Sequence, residues 1–310
     1  MSLRAQRRPK TVRVSTAGDH IPPGPPSKLP RLHGLFVVAT PIGNLGDFST
    51  RAREILDSVD VIACEDSRVS AVLLSRNGIA TPTTPYHDHN AESVRPGLIR
   101  RLVDGDAIAL ISDAGTPLIS DPGFKLVRAC IDAGLPVTPV PGASAVMTAL
   151  MVAGLATDRF MFAGFLPSKP GARDKALLAL KTIQATLVFF ESPVRAAESL
   201  AAMAAVFGVR AAAVCRELTK LHEEVRRGDL AELAAAAVLD PPRGEVVIVV
   251  DGAPDVEPSS DAEVERELRL ALKTQTLRDA VDGVAHISGR ARRDVYALAL
   301  ALTRPGTTRP

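Results

Sequence analysis

The chain has almost no charge of either sign to spare. Its 37 Lys and Arg face 35 Asp and Glu, leaving a net charge of +2 over 310 residues. So small an excess excludes general adhesion to nucleic acid, and any RNA contact must come from local basic patches. Cysteine is scarce as well: Cys64, Cys130 and Cys215 each lie within or beside an apolar run, with no CxxC and no paired spacing. That usage excludes a disulfide framework and reads as reduced thiols in a cytoplasmic protein. No apolar run is long enough to span a membrane. Neither GxGxxG nor GxxxxGKS/T occurs, which weakens dinucleotide and triphosphate readings. His87 and His89 have a spacing that could suit a metal, but no third ligand accompanies them, and no metal is expected.

What is present begins with a basic leader. Residues 1–31 carry Arg4, Arg7, Arg8, Lys10, Arg13, Lys28 and Arg31 against the single acid Asp19, with no apolar segment of the kind that directs secretion. A disordered tail is expected there, either an RNA-touching arm or a solvated leader. The pattern then changes to short β-rich runs separated by helical spacing. LFVVA (35–39), DVIAC (60–64), AIALI (107–111) and PVTPV (136–140) form one series of strands; RFMFA (159–163), TLVFF (186–190), RAAAVC (210–215) and EVVIVV (245–250) form a second. Strand and helix alternating at this rhythm predict two α/β domains with mostly parallel sheets, at 32–154 and 155–253. The proline-broken run DGAPDVEPSS is a linker. Beyond it, Ser260 and Glu263 form a capping box that opens a small helical module over 261–303.

The stretch LISDAGTPLISDPG (110–123) follows a strand and precedes a helix, at the edge where open parallel sheets bind ligands. Gly115 permits close backbone approach, Asp113 can accept from hydroxyls or an amine, and Pro117 and Pro122 stiffen the loop. Read without its neighbours, it is equally a loop rich in turn residues. VATPIGNLGD (38–47) after the first strand and PGASA (141–145) after PVTPV have the same character, and the latter opens a helix whose N–H groups point outward. A compact ligand without a polyphosphate suits these loops.

ATPIGNLGDFSTRA, CEDSRVSAVLL, HDHNAES, SDAGTPLISDPGF, PVPGASA, FAGFLPSKPGARDKAL, FFESPVRAAESL, CRELTKLHEEVRRG and RGEVVIVV occur in an order that resembles the small-subunit ribosomal RNA methyltransferase I family of the tetrapyrrole methylase superfamily, over about residues 35–251. The resemblance implies S-adenosylmethionine bound in a cleft between two α/β domains, a homodimer, and 2′-O-methylation of a cytidine ribose in the decoding region of 16S rRNA, free or in the small ribosomal subunit. It further implies donor contacts at Asp113, Gly115, Thr116, Ala143 and Ser144, and at Cys215, Arg216, Gly244 and Glu245. Three places depart from the family pattern: Ser67 and Ser70 stand where Thr is usual, Val194 where His is common, and Met151 and Val152 where two serines are usual.

The sulfonium donor is already an activated electrophile, so such an enzyme must chiefly align the attacking oxygen. A ribose hydroxyl still needs to lose its proton. Lys169 and Lys220 are the candidates, either as a base with a pKa lowered by desolvation or as phosphate grips. Asn44, Glu65, Asp66, Arg68 and Arg195 are candidate substrate contacts; Glu65, Asp66 and Arg68 also read as a structural ion-pair group. Glu217, Glu223 and Glu224 are either a solvated acidic face or partners that orient Arg216 and Lys220. In the last module Arg290, Arg292 and Arg293 open the second helix of a helix-turn-helix-like pair, which suits RNA contact, against a bundle that merely packs. Methylation of a corrin or diphthamide precursor, and a catalytically silent ribosome-assembly factor, are the rival functions.

Overall fold

The computed structural model describes residues 32–254 and 260–303. The expected basic tail at 1–31 lies outside the described residues. The chain divides into two compact units between Ala143 and Ser144.

The first unit contains β1 (Gly34–Val38), α1 (Thr50–Ser58), β2 (Val61–Cys64), α2 (Ser67–Arg76), β3 (Thr83–Pro85), α3 (Ala91–Val103), β4 (Ala107–Ile111), α4 (Phe124–Asp132) and β5 (Val137–Val140). Its sheet has the order β3-β2-β4-β1-β5, with every pairing parallel. Alternation along the strands divides the core in two. Phe36, Val38, Ala107, Ala109 and Ile111 join Ala52, Ile55 and Leu56 of α1 on one face. Leu35, Ile108 and Leu110 join Leu98 and Leu102 of α3 and Leu126 and Cys130 of α4 on the other. Burial on both faces explains why the strands read as continuous apolar runs. β3, a three-residue edge strand of Thr83, Thr84 and Pro85, has no such run and was not anticipated.

The second unit contains α5 (Ala145–Ala153), β6 (Phe160–Phe165), α6 (Pro170–Leu180), β7 (Thr186–Glu191), α7 (Ala196–Phe207), β8 (Ala211–Arg216), β9 (Glu224–Asp229), α8 (Leu230–Leu239) and β10 (Val246–Val250). Its sheet runs β6-β7-β10-β8-β9. Here the strands are mixed: β6 and β7 are parallel, whereas β10 lies antiparallel to both β7 and β8, and β8 antiparallel to β9. The reason lies in β9. Its sequence EVRRGD is charged and invisible to an apolar scan, yet it pairs with β8 through a short connection that only an antiparallel neighbour can use. α5 packs on β8 and β10, so this unit begins one helix earlier than the joint expected near 154–158. Arg227 Nε donates to the carbonyls of Val152 (3.1 Å) and Ala153 (3.3 Å), satisfying acceptors that the end of α5 leaves free. Gly154 closes that helix in the left-handed conformation, φ 77°.

The helices α9 (Asp261–Ala271), α10 (Leu277–Ser288) and α11 (Arg292–Thr303) have a core of their own, formed by Val264, Leu268, Val281, Val284, Val295 and Ala299. The expected capping box is present, with Ser260 Oγ accepting from Glu263 N and the Glu263 carboxylate accepting from Ser260 N. Gly289, at φ 65°, ends α10 and turns the chain into α11.

Candidate functional site

At the carboxyl edge of the first sheet, the loops after three adjacent strands are tied together. Thr40, after β1, and Gly115, after β4, exchange backbone hydrogen bonds of 2.8 and 3.1 Å. The Thr40 hydroxyl donates to Ser112 O at 3.2 Å. Thr116 Oγ1 donates to Ala143 O, after β5, at 3.0 Å. The result is a rim of backbone with little side-chain bulk. Gly115 has φ 82°, and a Cβ there would stand 3.2 Å from Ile42 Cγ2; a Cβ on Gly142 would stand 3.0 Å from Ala39 Cβ. Thus the glycines and alanines expected at a close-approach site bring the three loops into contact. Leu118 and Ser120 add backbone at φ 74° and 63°, conformations that side-chain-bearing residues adopt at a cost.

Asp113 belongs to the same rim. Its Oδ1 accepts from Asp66 N at 3.1 Å, which binds the loop after β4 to the one after β2; the other oxygen has no hydrogen-bond partner among the described residues. Burial raises the Asp113 carboxyl above its ordinary range, opposed by that backbone hydrogen bond and reinforced by the charge of Asp66. Burial raises Glu65 too, with Asp113 and Asp121 adding to the effect, and it raises Asp121. Asp66 behaves differently. Arg68 Nε and Nη2 donate to its two oxygens at 3.1 and 2.6 Å, and these bonds hold its pKa down to about 2. Arg68 and Asp66 are therefore an ion pair at the start of α2, and the Asp66 carboxylate also caps that helix by accepting from Arg68 N. Asn44 caps a short turn through its own side chain, accepting from Gly46 N at 2.9 Å.

In the second unit the residues expected to act surround the end of β8. Cys215 is fully buried and its thiol is pushed up to about 11, so only its backbone can face a ligand. Arg216 Nε donates to Glu224 Oε2 at 2.7 Å. Lys220 Nζ donates to Glu217 Oε1 at 2.9 Å and lies 3.2 Å from Glu245 Oε2. Of the two readings of the acidic group, the partner reading describes Glu217 and Glu224; Glu223 instead accepts from Thr219 N. The downward pKa shift considered for Lys220 is reversed. Burial pushes it down, but Glu217 and Glu245 outweigh burial and the ammonium is favoured. Glu217 also accepts from Glu245 N at 2.9 Å, the leading cause of its lowered pKa. Glu217 and Thr219 have φ 50° and 68°, so the turn is held in a form its sequence does not prefer.

Lys169 sits exposed at the N-cap of α6. Arg195 is engaged: its Nε donates to Glu191 Oε1 at 2.8 Å and its Nη2 to Leu166 O at 2.8 Å. Glu191, which is buried, also accepts from Ser192 N and Ser199 Oγ. This knot fixes the passage from β7 into α7. Nothing in the sequence singled out Glu191, since its role depends on how the turn into α7 brings back Ser192 N, Arg195 and Ser199 Oγ, up to eight residues on. Val194, the departure from the family's His, is fully on the surface. In the last module Arg290 donates to Asp261 at 2.8 Å, Arg292 to Asp282, and Arg293 to Asp294 at 3.1 Å.

Comparison with known proteins bears on both units. The model of the tetrapyrrole (corrin/porphyrin) methylases matches residues 34–234, and that of the RsmI C-terminal HTH domain matches 258–303. Two relatives, both named ribosomal RNA small subunit methyltransferase I, align along nearly their whole length. That of Mesorhizobium japonicum is 49% identical, covering 86% of this chain and 92% of the relative. That of Xylella fastidiosa is 46% identical, covering 84% and 97%. This chain belongs to the ribosomal RNA small subunit methyltransferase I family. The fold of this family member is similar to that of a solved uroporphyrin-III C-methyl transferase from Thermus thermophilus, in complex with S-adenyl homocysteine. The TM-score is 0.50 at 18% identity, over 70% of this chain and 96% of that one. The tied rim of the first sheet and the Lys220 turn both lie inside the region that the methylase model matches. Among the described residues no helix is long and apolar enough to cross a membrane.

Proposed function

We propose that this methyltransferase transfers a methyl group from S-adenosylmethionine to the ribose 2′-oxygen of a cytidine in the decoding region of 16S rRNA, acting in the cytoplasm as a homodimer. The observation that carries the reading is the coincidence of the three-loop rim with SDAGTPLISDPG, one of the runs that carry the family resemblance, in a chain whose relatives are named for small-subunit rRNA. The residues present fit the donor. Gly115 and Gly142 let the loops after β1, β4 and β5 close on one another, and the mostly backbone rim that results suits a flat or extended ligand. The unpartnered oxygen of Asp113 suits a hydroxyl or an ammonium group. Thr116, Ala143 and Ser144 complete that side, and the backbone of Cys215 with Arg216, Gly244 and Glu245 are the second unit's proposed contacts.

The donor supplies an electrophilic methyl group; the chain's own residues must orient the acceptor oxygen and accommodate its proton. Lys220, held as an ammonium by Glu217 and Glu245, suits gripping a phosphate or stabilising a developing alkoxide better than accepting a proton. Lys169 remains the more accessible amine for a direct contact with RNA. Asn44 and Glu65 are proposed to act on the substrate side, Arg195 by fixing the passage from β7 into α7, and Asp66 and Arg68 by shaping the start of α2.

Incubation of the protein with S-adenosylmethionine and purified small-subunit rRNA, or with the small subunit, followed by mapping of ribose methylation, tests the reading. A 2′-O-methylcytidine in the decoding region is the expected product. Methylation of a corrin or diphthamide-type acceptor with no RNA product would overturn it. RNA binding without heat of donor binding in calorimetry would instead identify a silent assembly factor.

A further inference from the structure

The second unit contains a concavity of about 220 Å³ lined by Arg216, Glu217, His222, Arg243 and Gly244. Most arginines of this unit are already engaged. Arg173, Arg195, Arg216 and Arg226 each pair with a carboxylate, and Arg227 with carbonyls at the end of α5. Arg243 and His222 are exposed and, among the described residues, have no ion pair or side-chain hydrogen bond. The acids around the opening have partners: Glu217 and Glu245 hold Lys220, Glu224 holds Arg216 and Arg226, Asp240 holds Arg226, and Glu223 accepts from Thr219 N. An anion entering here therefore meets a free guanidinium and a free imidazole without a free carboxylate opposing it.

Gly244, at φ 76°, borders the opening, and the Glu217 side chain fills the space of its missing Cβ, which keeps that carboxylate on Lys220 Nζ and Glu245 N. Arg243 precedes Gly244 on the same short turn, between α8 and β10, and His222 stands on the β8–β9 connection. A planar guanidinium fork matches two oxygens of a phosphate, and an imidazole N–H supplies a third donor.

We propose that this concavity binds a phosphodiester group of the RNA substrate, with Arg243 as the fork and His222 as the second donor. The inference rests on the rRNA reading above and names a subsite for that substrate. Arg216 and Gly244, assigned above to the donor, also border the opening, so the subsite adjoins the donor contacts and uses Arg243 and His222, to which no donor role is assigned.

The test uses the full-length protein. Binding of purified small-subunit rRNA is measured across a salt series for the wild type, Arg243→Ala, Arg243→Lys and the Arg243→Ala/His222→Ala double variant, with S-adenosylmethionine affinity measured by calorimetry on each. The double variant should bind RNA roughly 5- to 10-fold more weakly, with a log–log salt slope flatter by about 0.7 to 0.9 for one lost phosphate contact. Arg243→Lys should keep the slope, because the charge remains, while losing part of the affinity. Donor affinity should be unchanged in all three. Wild-type RNA affinity and slope in the double variant overturn the proposal. So does weakened donor binding with unaltered RNA binding, which makes the concavity part of the donor site. If the wild type neither binds nor methylates rRNA, the functional reading itself fails, and that result is distinct because the variants then have no RNA affinity to lose.

Discussion

Gly244 and Glu217 occupy each other's space: a Cβ on Gly244 would lie 2.2 Å from Glu217 Oε1 and 2.3 Å from its Cδ. The missing side chain lets the Glu217 carboxylate reach both Lys220 Nζ and Glu245 N. Gly244→Ala should therefore do more than strain a backbone at φ 76°. It should lower stability by about 1–3 kcal/mol and release Lys220 from Glu217. Denaturant unfolding gives the first quantity. A loss of RNA affinity or rate larger than that of Glu217→Gln would show that the turn, and not the charge alone, is needed.

Asp113→Ala should weaken S-adenosylmethionine binding while leaving the fold cooperative, because the remaining ties of the rim, Thr40 with Gly115 and Thr116 with Ala143, do not use its side chain. Calorimetry against the donor and a thermal melt separate the two effects. Unchanged donor affinity would remove this loop from the site.

The raised carboxyl of Asp121 gives a pH prediction with a definite sign. A folded-state pKa above the unfolded value means that the folded form holds its proton more tightly. The cost of the charged form is then fully present above the folded pKa, shrinks as pH falls from there, and is gone below the unfolded value of about 3.9. Asp121→Asn should thus raise Tm at pH 7, with the gain shrinking as pH approaches 4. A gain that grows in acid, or a loss at pH 7, would contradict the assignment.

Lys220→Met distinguishes the two roles of that lysine. As a grip kept charged by Glu217 and Glu245, its loss should mainly raise the apparent KM, by roughly tenfold, and Lys220→Arg should restore most activity. A base would show itself differently, through a fall in kcat of roughly 10²- to 10⁴-fold and loss of the rising limb of the pH profile.

The arginines of the last module make a separate case. Arg292 and Arg293 pair with Asp282 and Asp294 at exposed positions, where solvent screening leaves such pairs weak, so a phosphate can displace the acid. Changing Arg290, Arg292 and Arg293 together to Ala should weaken rRNA binding and flatten its salt slope, with donor affinity untouched. Arg290 is also tied to Asp261, so this variant should melt earlier as well. Binding of RNA as tight and as salt-dependent as the wild type would leave these residues a purely packing role.

The first unit was legible because its physics is local. Strands buried on both faces must be continuously apolar, and LFVVA, DVIAC and AIALI are. The intervening glycines, prolines and aspartates mark where the chain must turn at the ligand edge. Capping signals worked for the same reason: Ser260 and Glu263, three residues apart, satisfy each other within one helical turn. The second sheet was harder. Its β9 is half-exposed and charged, so it has no apolar signature, and its antiparallel pairing follows from a short connection to β8 that composition does not reveal.

By itself the sequence determined the strand and helix alternation, the three glycine- and proline-shaped loops, the helical end module and the family, since each rests on residue types at short spacing. The tertiary structure alone decided how the charges are used. At Lys220 the fold brings up Glu217 and Glu245, the latter 25 residues away, and their carboxylates favour its charged form, which supports the grip over the base. Arg195 reads from sequence as a substrate contact, and the fold instead gives its Nε and Nη2 to Glu191 and Leu166 O. Which donors are engaged and which, like Arg243 and His222, have no side-chain partner among the described residues is set by neighbours distant in sequence. Coulombic and hydrogen-bond energies depend on separation in space, and only the folded chain fixes that.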